Sequence, residues 1–589
     1  MPESSFLTQI KRLIVGRPIP SHLAHHERLT RFTGLAVLSS DPLSSVAYAT
    51  EEILRVLLLV GAGILGLATP IGFVIASILA VVVFSYRQTI FAYPNGGGAY
   101  IVSKDNIGEL AALVAAAALL IDYVLTVAVS IAAGVAAITS AFPQWHVNRV
   151  EMTLGFLVLL ALGNLRGIRE SGRIFAIPTY FFIVCTLGLI AIGAWRYMSG
   201  TIVPVTPAEV AEHGTHALTW FLLLTAFSNG CTAMTGVEAV SNGVPAFKPP
   251  EAKNAASTLV IMAVLAIAMF VGITLLAHAY AIVPSDKETV VSQIARGIFM
   301  GRGLPYYLVQ AATMLILVLA ANTAFADFPR LASIVARDKF LPRQFMNQGD
   351  RLAFSNGIVA LGFFAGVLLV MYGGDTHSLI PLYMIGVFVS FTLSQAGMVV
   401  HWFRLKGRGW RSSAAVNGFG ALVTGIVLLI VAITKSREGA WIVILLIPVL
   451  VTVFRATKRH YDHVGAQLSP ERWTEEPRQH NTVVVPIGGV QRAVLDAVNY
   501  ARSLSTDVRP VYVDTDARTT EQVRDDWARW IRDVPLIVLE SPYRSLMEPL
   551  LEYLENIQLE RPGGYVTVVL PEFVPARWWH HLLHNQRAL

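Results

Sequence analysis

The chain has 589 residues and a formal net charge of +6, and 54% of its residues are hydrophobic while 14% are charged. A mean hydropathy of +0.57 excludes an ordinary soluble protein of this length and indicates a chain that crosses a lipid bilayer many times. In such a protein an excess of Lys and Arg belongs to cytoplasmic loops, so the charge is no argument for nucleic-acid binding. Cys185 and Cys231 both fall in apolar segments, which argues against a disulfide framework.

Twelve segments are apolar and long enough to cross a bilayer, for which roughly 20 residues suffice. They lie at residues 31–61, 66–92, 108–141, 151–165, 174–196, 216–243, 255–281, 305–328, 354–373, 378–402, 414–434 and 439–455. Basic residues concentrate in the loops on the same side as the N-terminus, which predicts that both termini are cytoplasmic. The sequence thus divides into a cytoplasmic N-terminal segment (1–30), a transmembrane domain (31–456) and a cytoplasmic C-terminal domain (457–589).

The first span carries a carboxylate and a proline near its middle. Residues 35–48 read LAVLSSDPLSSVAY, with the proline at Pro42 directly after Asp41. Proline removes a backbone donor and clashes with the preceding turn, so the helix is predicted to break at this pair. In lipid, freed carbonyls and a buried charge are tolerated only where they line a protein-enclosed cavity. The segment therefore predicts a site for a small cation.

Two further carboxylates lie inside spans, Asp122 in the third and Glu238 in the sixth. Each is either a functional group or half of a structural ion pair. No basic residue lies near them in these spans, so the functional interpretation is favoured. On the third span Thr126 and Ser130 follow Asp122 at intervals of four residues and share its helix face. The alternative is that such hydroxyls only allow close helix packing.

The sixth span is interrupted like the first. Residues 228–238 read SNGCTAMTGVE, in which two glycines and several polar residues weaken the helix. Ser228, Thr232, Thr235 and Glu238 are predicted to form an oxygen-bearing stripe. The first and sixth spans are corresponding members of two five-helix halves, and matching interruptions at such positions indicate a transport site at the interface between the halves.

Three smaller features remain in the membrane domain. The loop at 93–100, YPNGGGAY, lacks the flanking strand and the Lys-Ser of a phosphate-binding loop, so it is interpreted as a tight turn or flexible gate. Asp327 is predicted to pair with Arg330 or Arg337. Glu51 and Glu52 are expected to be solvated near an external vestibule, with selectivity as the alternative role.

Beyond residue 457 the composition becomes polar. Apolar runs at 483–487, 510–513, 536–539 and 565–570 alternate with helical stretches, which predicts an α/β domain with a mainly parallel sheet. Gly488, Gly489 and Arg492 follow the first predicted strand and open a helix. Backbone donors at such a turn can hold a phosphate, although a plain tight turn explains the glycines equally well.

Four segments carry a family resemblance: LSSDPLSSVAYA at 38–49, YPNGGGAY at 93–100, TGVEA at 235–239 and NTAFADFPRLA at 322–332. With them the whole chain resembles the amino acid–polyamine–organocation superfamily, and within it the KimA-type potassium importers related to the Kup family. The first segment is the more specific, whereas the second and third are shared widely in the superfamily.

The resemblance implies twelve spans with a LeuT-like five-plus-five inverted repeat, a homodimer in the bacterial inner membrane, and proton-coupled potassium uptake. It implies the potassium-binding set Tyr48, Asp122, Thr126, Ser130, Thr235, Glu238 and Tyr383. Asp41 and Glu238 would serve proton coupling. The tail resembles the family's regulatory cytoplasmic domain, which is similar to universal stress proteins and in some members binds cyclic di-AMP. Gly488, Gly489 and Arg492 are the candidate residues for binding such a nucleotide here. Potassium and protons would be substrates, with no cofactor, no other metal and no enzymatic reaction.

Two alternatives remain open at the level of sequence. The runner-up is a proton-coupled amino acid or polyamine permease on the same scaffold. Asp41 lies where such carriers expose bare backbone amides to a substrate carboxylate, and it would repel that carboxylate. This departure favours a cation but leaves polyamines open. A membrane sensor is the third class, and the intact set of intramembrane carboxylates argues against it.

Overall fold

The computed structural model describes residues 28–96, 98–166, 172–202, 205, 216–349, 353–469, 480–514, 517–541 and 546–571. Nearly all of the predicted N-terminal segment lies outside these residues. The chain divides into two compact units, with the boundary in the sequence between Gln467 and Leu468.

The described part of the first unit is built from α-helices joined by short turns. In chain order the helices are α1 (Arg31–Leu38), α2 (Ser40–Leu58), α3 (Ala68–Ala92), α4 (Gly98–Asn106), α5 (Glu109–Ala141), α6 (Arg149–Leu165), α7 (Gly172–Met198), α8 (Trp220–Gly230), α9 (Glu238–Asn242), α10 (Glu251–Ala279), α11 (Val290–Ile298), α12 (Leu304–Arg337), α13 (Ser355–Met371), α14 (Thr376–Leu405), α15 (Trp410–Lys435) and α16 (Ala440–Gln467).

Nine helical stretches among the described residues are long and apolar enough to cross a membrane. Helix α13 is apolar but shorter. The remaining two predicted spans are interrupted: α1 and α2 make up the first, and α8 and α9 make up the sixth. The unit is therefore that of a multi-pass α-helical membrane protein.

The first interruption lies at Ser39, three residues before Pro42. Helix α1 ends at Leu38 and α2 begins at Ser40, with Ser39 at φ −107° and ψ 0° between them. The prediction of a break at Asp41-Pro42 is thus displaced by a few residues. Backbone N–H groups in the first turn of a helix have no acceptor within the helix, so a proline, which lacks this group, fits there. Pro42 accordingly lies just inside α2.

The second interruption is longer. After α8 the chain makes a 3-10 turn over Cys231–Met234, Thr235 is extended, and Gly236 has φ +76° before α9 begins. Because the helix ends at Gly230 and Thr235 is extended, Thr232, Thr235 and Glu238 do not continue one helix face from Ser228. The predicted stripe is therefore wrong beyond Ser228. A side chain at Gly236 would overlap the carboxylate of Asp41, which explains why glycine is needed here.

Helix α5 is the central helix of the first unit, because nearly every residue from Ala112 to Ala141 is buried. Helix α14 packs closely on it at Gly386, where a Cβ atom would lie 2.9 Å from the carbonyl oxygen of Ala118. This close approach brings Asp122 into the interior of the helix bundle, away from any lipid-facing surface.

Helix α16 extends past the predicted end of the last span and past the predicted domain boundary at 456/457. Its polar second half is held by ion pairs of Lys458 with Glu109 at 2.5 Å and of Asp462 with Lys339 at 2.9 Å. A membrane helix can continue beyond the bilayer wherever polar helix-forming residues follow, and the drop in hydropathy therefore precedes the end of the helix.

The described part of the second unit is a parallel sheet with helices between its strands. Its elements are β1 (Asn481–Ile487), α17 (Arg492–Leu504), β2 (Asp507–Asp514), α18 (Ala517–Trp530), β3 (Ile537–Glu540), α19 (Met547–Glu560) and β4 (Tyr565–Val568). The strand order is β3-β2-β1-β4 and all pairs are parallel, as the strand–helix alternation predicted. Central strand β1 is buried along most of its length.

Candidate functional site

Asp41, Asp122 and Glu238 form one buried carboxylate cluster. They come from the start of α2, the middle of α5 and the start of α9, and their exposed fractions are 6%, 1% and 3%. Each interacts electrostatically with another member, and Asp122 lies within hydrogen-bonding reach of Glu238. The fold thus brings together the three intramembrane acids that the sequence singled out.

The cluster is short of compensating groups. Within the described part of the chain, Oδ1 of Asp41, Oδ1 of Asp122 and Oε2 of Glu238 have no hydrogen-bond partner. The basic residue on the same helix as Asp41 is Arg55, and it pairs instead with Asp286 at 2.8 Å. Adjacent buried carboxylates without counter-charges are strongly unfavourable, so the cluster requires a bound cation or protons.

Hydroxyl groups join the two interrupted helices that carry Asp41 and Glu238. The hydroxyl of Ser45 lies 3.0 Å from that of Tyr48 and 2.7 Å from that of Thr235, and Thr235 donates to the carbonyl of Thr232 at 2.9 Å. Ser45 was not in the predicted set. It lies one helical turn after Asp41, so the four-residue spacing used for the third span would have found it.

A second hydroxyl pair joins α5 to α14. The Thr126 hydroxyl donates to the Tyr383 hydroxyl at 3.1 Å, and both residues are buried. Ser130 is also buried on α5, but it lies about 12 Å from Asp122 along the helix axis at 1.5 Å per residue. Among the described residues no hydrogen bond joins Ser130 to the other members of the predicted set. Its role stays a prediction.

A cavity of about 310 Å³ opens beside the cluster. Asn242 in its wall donates to the Tyr123 hydroxyl at 3.0 Å, and Asp327 lies 3.7 Å from Arg330. Of the two partners expected for Asp327, the structure therefore selects Arg330. Asp327 interacts electrostatically with Asp41 and Glu238, so this wall of the cavity lies near the carboxylate cluster.

The glycine-rich loop forms part of the wall of this cavity. Gly96 and Gly98 have φ values of +76° and +45° and pass against Asn242, leaving no room for side chains. The third glycine of the loop, Gly97, lies outside the described residues. The loop is thus a tightly packed turn at the cavity mouth, in agreement with the turn interpretation.

Glu51 and Glu52, in the second half of α2, are buried and paired, so the expectation that they are solvated is wrong. Nδ1 of His377 hydrogen-bonds to Glu52, and Nε2 of the same ring lies 3.5 Å from Glu51. Asn229 donates to Glu52 at 3.1 Å, and the Val290 amide donates to Glu51 at 3.0 Å. Because the partners are distant in sequence, no local pattern revealed them.

In the second unit, Gly488 and Gly489 directly follow β1, and Arg492 is the first residue of α17. This position, at the carboxyl end of a central parallel strand and the N-terminus of a helix, is one at which anions commonly bind. The side chain of Arg492 is exposed. The nucleotide-binding role of the three residues stays a prediction.

The helical membrane unit and its interrupted helices define a class of multi-pass transporters: residues 29–454 match the family model for amino acid permeases. Residues 478–589 match that for the KimA potassium transporter C-terminal domain. The chain is 46% identical over 583 residues to the potassium transporter KimA of Bacillus subtilis (strain 168), covering 98% of this chain and 95% of that relative. The chain therefore belongs to the KimA potassium transporter family, a family of transporters and not of enzymes.

Proposed function

We propose that this protein imports potassium and that the carboxylate cluster binds the dehydrated ion. The observation that carries the proposal is the buried, mutually interacting set of Asp41, Asp122 and Glu238, each of which has a carboxylate oxygen without a hydrogen-bond partner among the described residues. A potassium ion supplies the positive charge that these oxygens lack, and they replace part of its hydration shell. The name of the Bacillus relative supports potassium as the substrate.

The proposed coordinating groups include neutral oxygens as well. They are Tyr48, Thr126, Ser130, Thr235 and Tyr383, together with Asp122, Glu238 and the additional hydroxyl of Ser45. Hydroxyl and carboxylate oxygens are hard ligands and suit an alkali cation better than a transition metal. The spacing along α5 allows the ion to exchange ligands as it moves.

Proton coupling follows from the same electrostatics. Three adjacent carboxylates carry more negative charge than one potassium ion compensates, so a proton on Asp41 or Glu238 relieves the remaining repulsion while the other two carboxylates bind the ion. Binding of the proton and binding of the ion then favour each other, which is the requirement for symport. No resident cofactor takes part in this scheme.

The proposed setting is a bacterial inner membrane with twelve spans, a five-plus-five inverted repeat and both termini in the cytoplasm. The distribution of basic loop residues supports this orientation. In it the cavity at Asp327 faces the cytoplasm and the Glu51–His377 pair faces outward. The proposed assembly is a homodimer, whose universal-stress-protein-like tails bind cyclic di-AMP or another adenine nucleotide.

The test is potassium uptake by charge-neutralised variants. We expect Glu238→Gln and Asp122→Asn each to abolish growth of an uptake-deficient bacterium at limiting potassium. The matched controls are Glu151→Gln and Asp105→Asn, which neutralise exposed acids away from the cluster and are expected to grow like the wild type. Normal uptake by either site variant, at normal expression, would contradict the assignment.

Rubidium uptake into proteoliposomes separates the proposal from the amino acid or polyamine permease. We expect rubidium influx that rises with an inward proton gradient and is competed by potassium. Competition by putrescine or an amino acid mixture at a similar concentration, with weak competition by potassium, would favour the permease.

A further inference from the structure

The group formed by Glu51, Glu52 and His377 connects four segments of the membrane unit. Both glutamates lie on α2, and His377 is the second residue of α14. Through the glutamates the group also binds the side chain of Asn229 on α8 and the amide of Val290 at the start of α11. Glu51 and Glu52 are 3% and 2% exposed, so these contacts are sheltered from water and correspondingly strong.

Two members of the group border two cavities. A cavity of about 330 Å³ is lined by Glu51, His377 and the charged side chains Arg55 and Asp286. A much smaller cavity of about 30 Å³ is lined by Glu51, His377 and Tyr48. Tyr48 belongs to the proposed ion site. Glu51 and His377 therefore border both the larger cavity and the small cavity beside the ion site.

We propose that Glu51, Glu52 and His377 form the external gate of the transporter. This inference rests on the proposed function and orientation. With His377 bound to both carboxylates, α2, α8, α11 and α14 are held together and the passage to Tyr48 is shut. For an ion to enter, the imidazole must leave both glutamates. The two carboxylates that it releases then face the larger cavity and attract the entering cation.

A purely structural ion pair would not explain this arrangement. Such a pair holds two elements, whereas this group joins four at the boundary between a charged cavity and the ion site. A contact made only in the outward-closed state biases the equilibrium toward that state by its own free energy. Its loss should therefore increase the exposure of the small cavity to the outside.

The experiment measures that exposure with a reporter cysteine. Ala137 is 1% exposed and lines the small cavity, so Ala137→Cys is introduced after Cys185→Ser and Cys231→Ala remove the native thiols. Intact cells are treated with a membrane-impermeant methanethiosulfonate reagent. We expect His377→Ala to raise the labelling rate of the reporter at least about tenfold, a shift of about 1.4 kcal/mol in the gating equilibrium.

Two controls define the outcomes. His278→Ala removes an exposed histidine outside this group and is expected to leave the labelling rate unchanged. Lys287→Cys, exposed beside the larger cavity, is expected to be labelled in every variant. Failure to label Lys287→Cys from outside would overturn the proposed orientation and the gate with it, whereas its labelling with an unchanged rate at Ala137→Cys would overturn the gate alone.

A second variant covers the case in which His377→Ala does not fold, as judged by gel filtration. Glu52→Gln keeps the side-chain volume but replaces a charge-assisted hydrogen bond with a neutral one. We expect a smaller rise in labelling at Ala137→Cys, about threefold. A folded Glu52→Gln protein with the wild-type labelling rate would contradict the proposal.

Discussion

Gly236 lies where the unwound segment of the sixth span passes close to Asp41. Its φ of +76° belongs to the left-handed region, and any Cβ at this position would overlap the Asp41 carboxylate. Together the two constraints make the residue part of the wall of the site. The Ser45 hydroxyl has a comparable local role, because it fixes the distance between Tyr48 and Thr235.

We expect Gly236→Ala to lower the transport rate more than tenfold and to destabilise the protein. The left-handed conformation alone costs an L-residue about 1–2 kcal/mol, and Asp41 must also move. Potassium uptake and the melting temperature of the purified protein measure the two effects. Gly155→Ala is the control, since a Cβ there meets nothing within 4 Å and alanine favours a helix. Full activity of Gly236→Ala would refute the close approach.

At the scale of elements, the site depends on which helices are interrupted and which are continuous. Helices α5 and α14 pass the site without a break and are joined by the pair Thr126–Tyr383. The interrupted helices are joined to each other by Ser45. The Glu52–His377 and Asn242–Tyr123 contacts join one pair to the other, and alternating access would require such contacts to break.

In the α/β unit, a charged cluster around Asp507 lies at the start of the β1–β2 strand pair. Asp507 stands opposite Thr482 in the parallel register and accepts a hydrogen bond from it at 2.8 Å. Partial burial raises the pKa of Asp507, but hydrogen bonds from Arg509 and Thr482 and the charges of Arg509 and Arg561 outweigh burial and hold the pKa below its usual value.

This depressed pKa predicts a pH-dependent strand pair. The ionised Asp507 stabilises the folded unit above the pKa of an unfolded aspartate, about 3.9, and the contribution is lost as the pH falls through the lower folded value. We expect amide hydrogen exchange in β1 and β2, corrected for intrinsic rates, to accelerate below about pH 4.

Asp507→Asn should remove that pH dependence and should exchange faster than the wild type at pH 7. The control Asp525→Asn, at an exposed position of α18, should keep the wild-type profile. An Asp507→Asn protein with the wild-type exchange at both pH values would show that the cluster does not support the strands.

At the scale of the whole molecule, ion binding and stability are linked. A ligand that binds only the folded protein stabilises it by RT ln(1 + [L]/Kd), about 2.7 kcal/mol at a hundredfold excess over Kd. We expect potassium chloride to raise the melting temperature of the purified transporter above that in choline chloride at equal ionic strength. Glu238→Gln should lose the difference. Equal melting temperatures in both salts at saturating potassium would argue against the site.

The sequence by itself determined the class of protein and the positions of the helix interruptions and intramembrane carboxylates. Apolar length, Pro42, the glycines at 230 and 236, and the intramembrane acids have consequences that are local to each segment, so their neighbours in sequence suffice to predict them. The strand–helix alternation of the tail is local in the same way.

Only the tertiary structure decided which groups meet. His377 binds Glu52 across 325 positions, and Ser45 reaches Thr235 across 190. The extended backbone at Thr235, the course of the chain past Asn242 and the burial of Glu51 likewise depend on how distant helices pack. Helix periodicity indicates which face of a helix is polar, but the partner of that face is chosen by packing, and no local pattern encodes it.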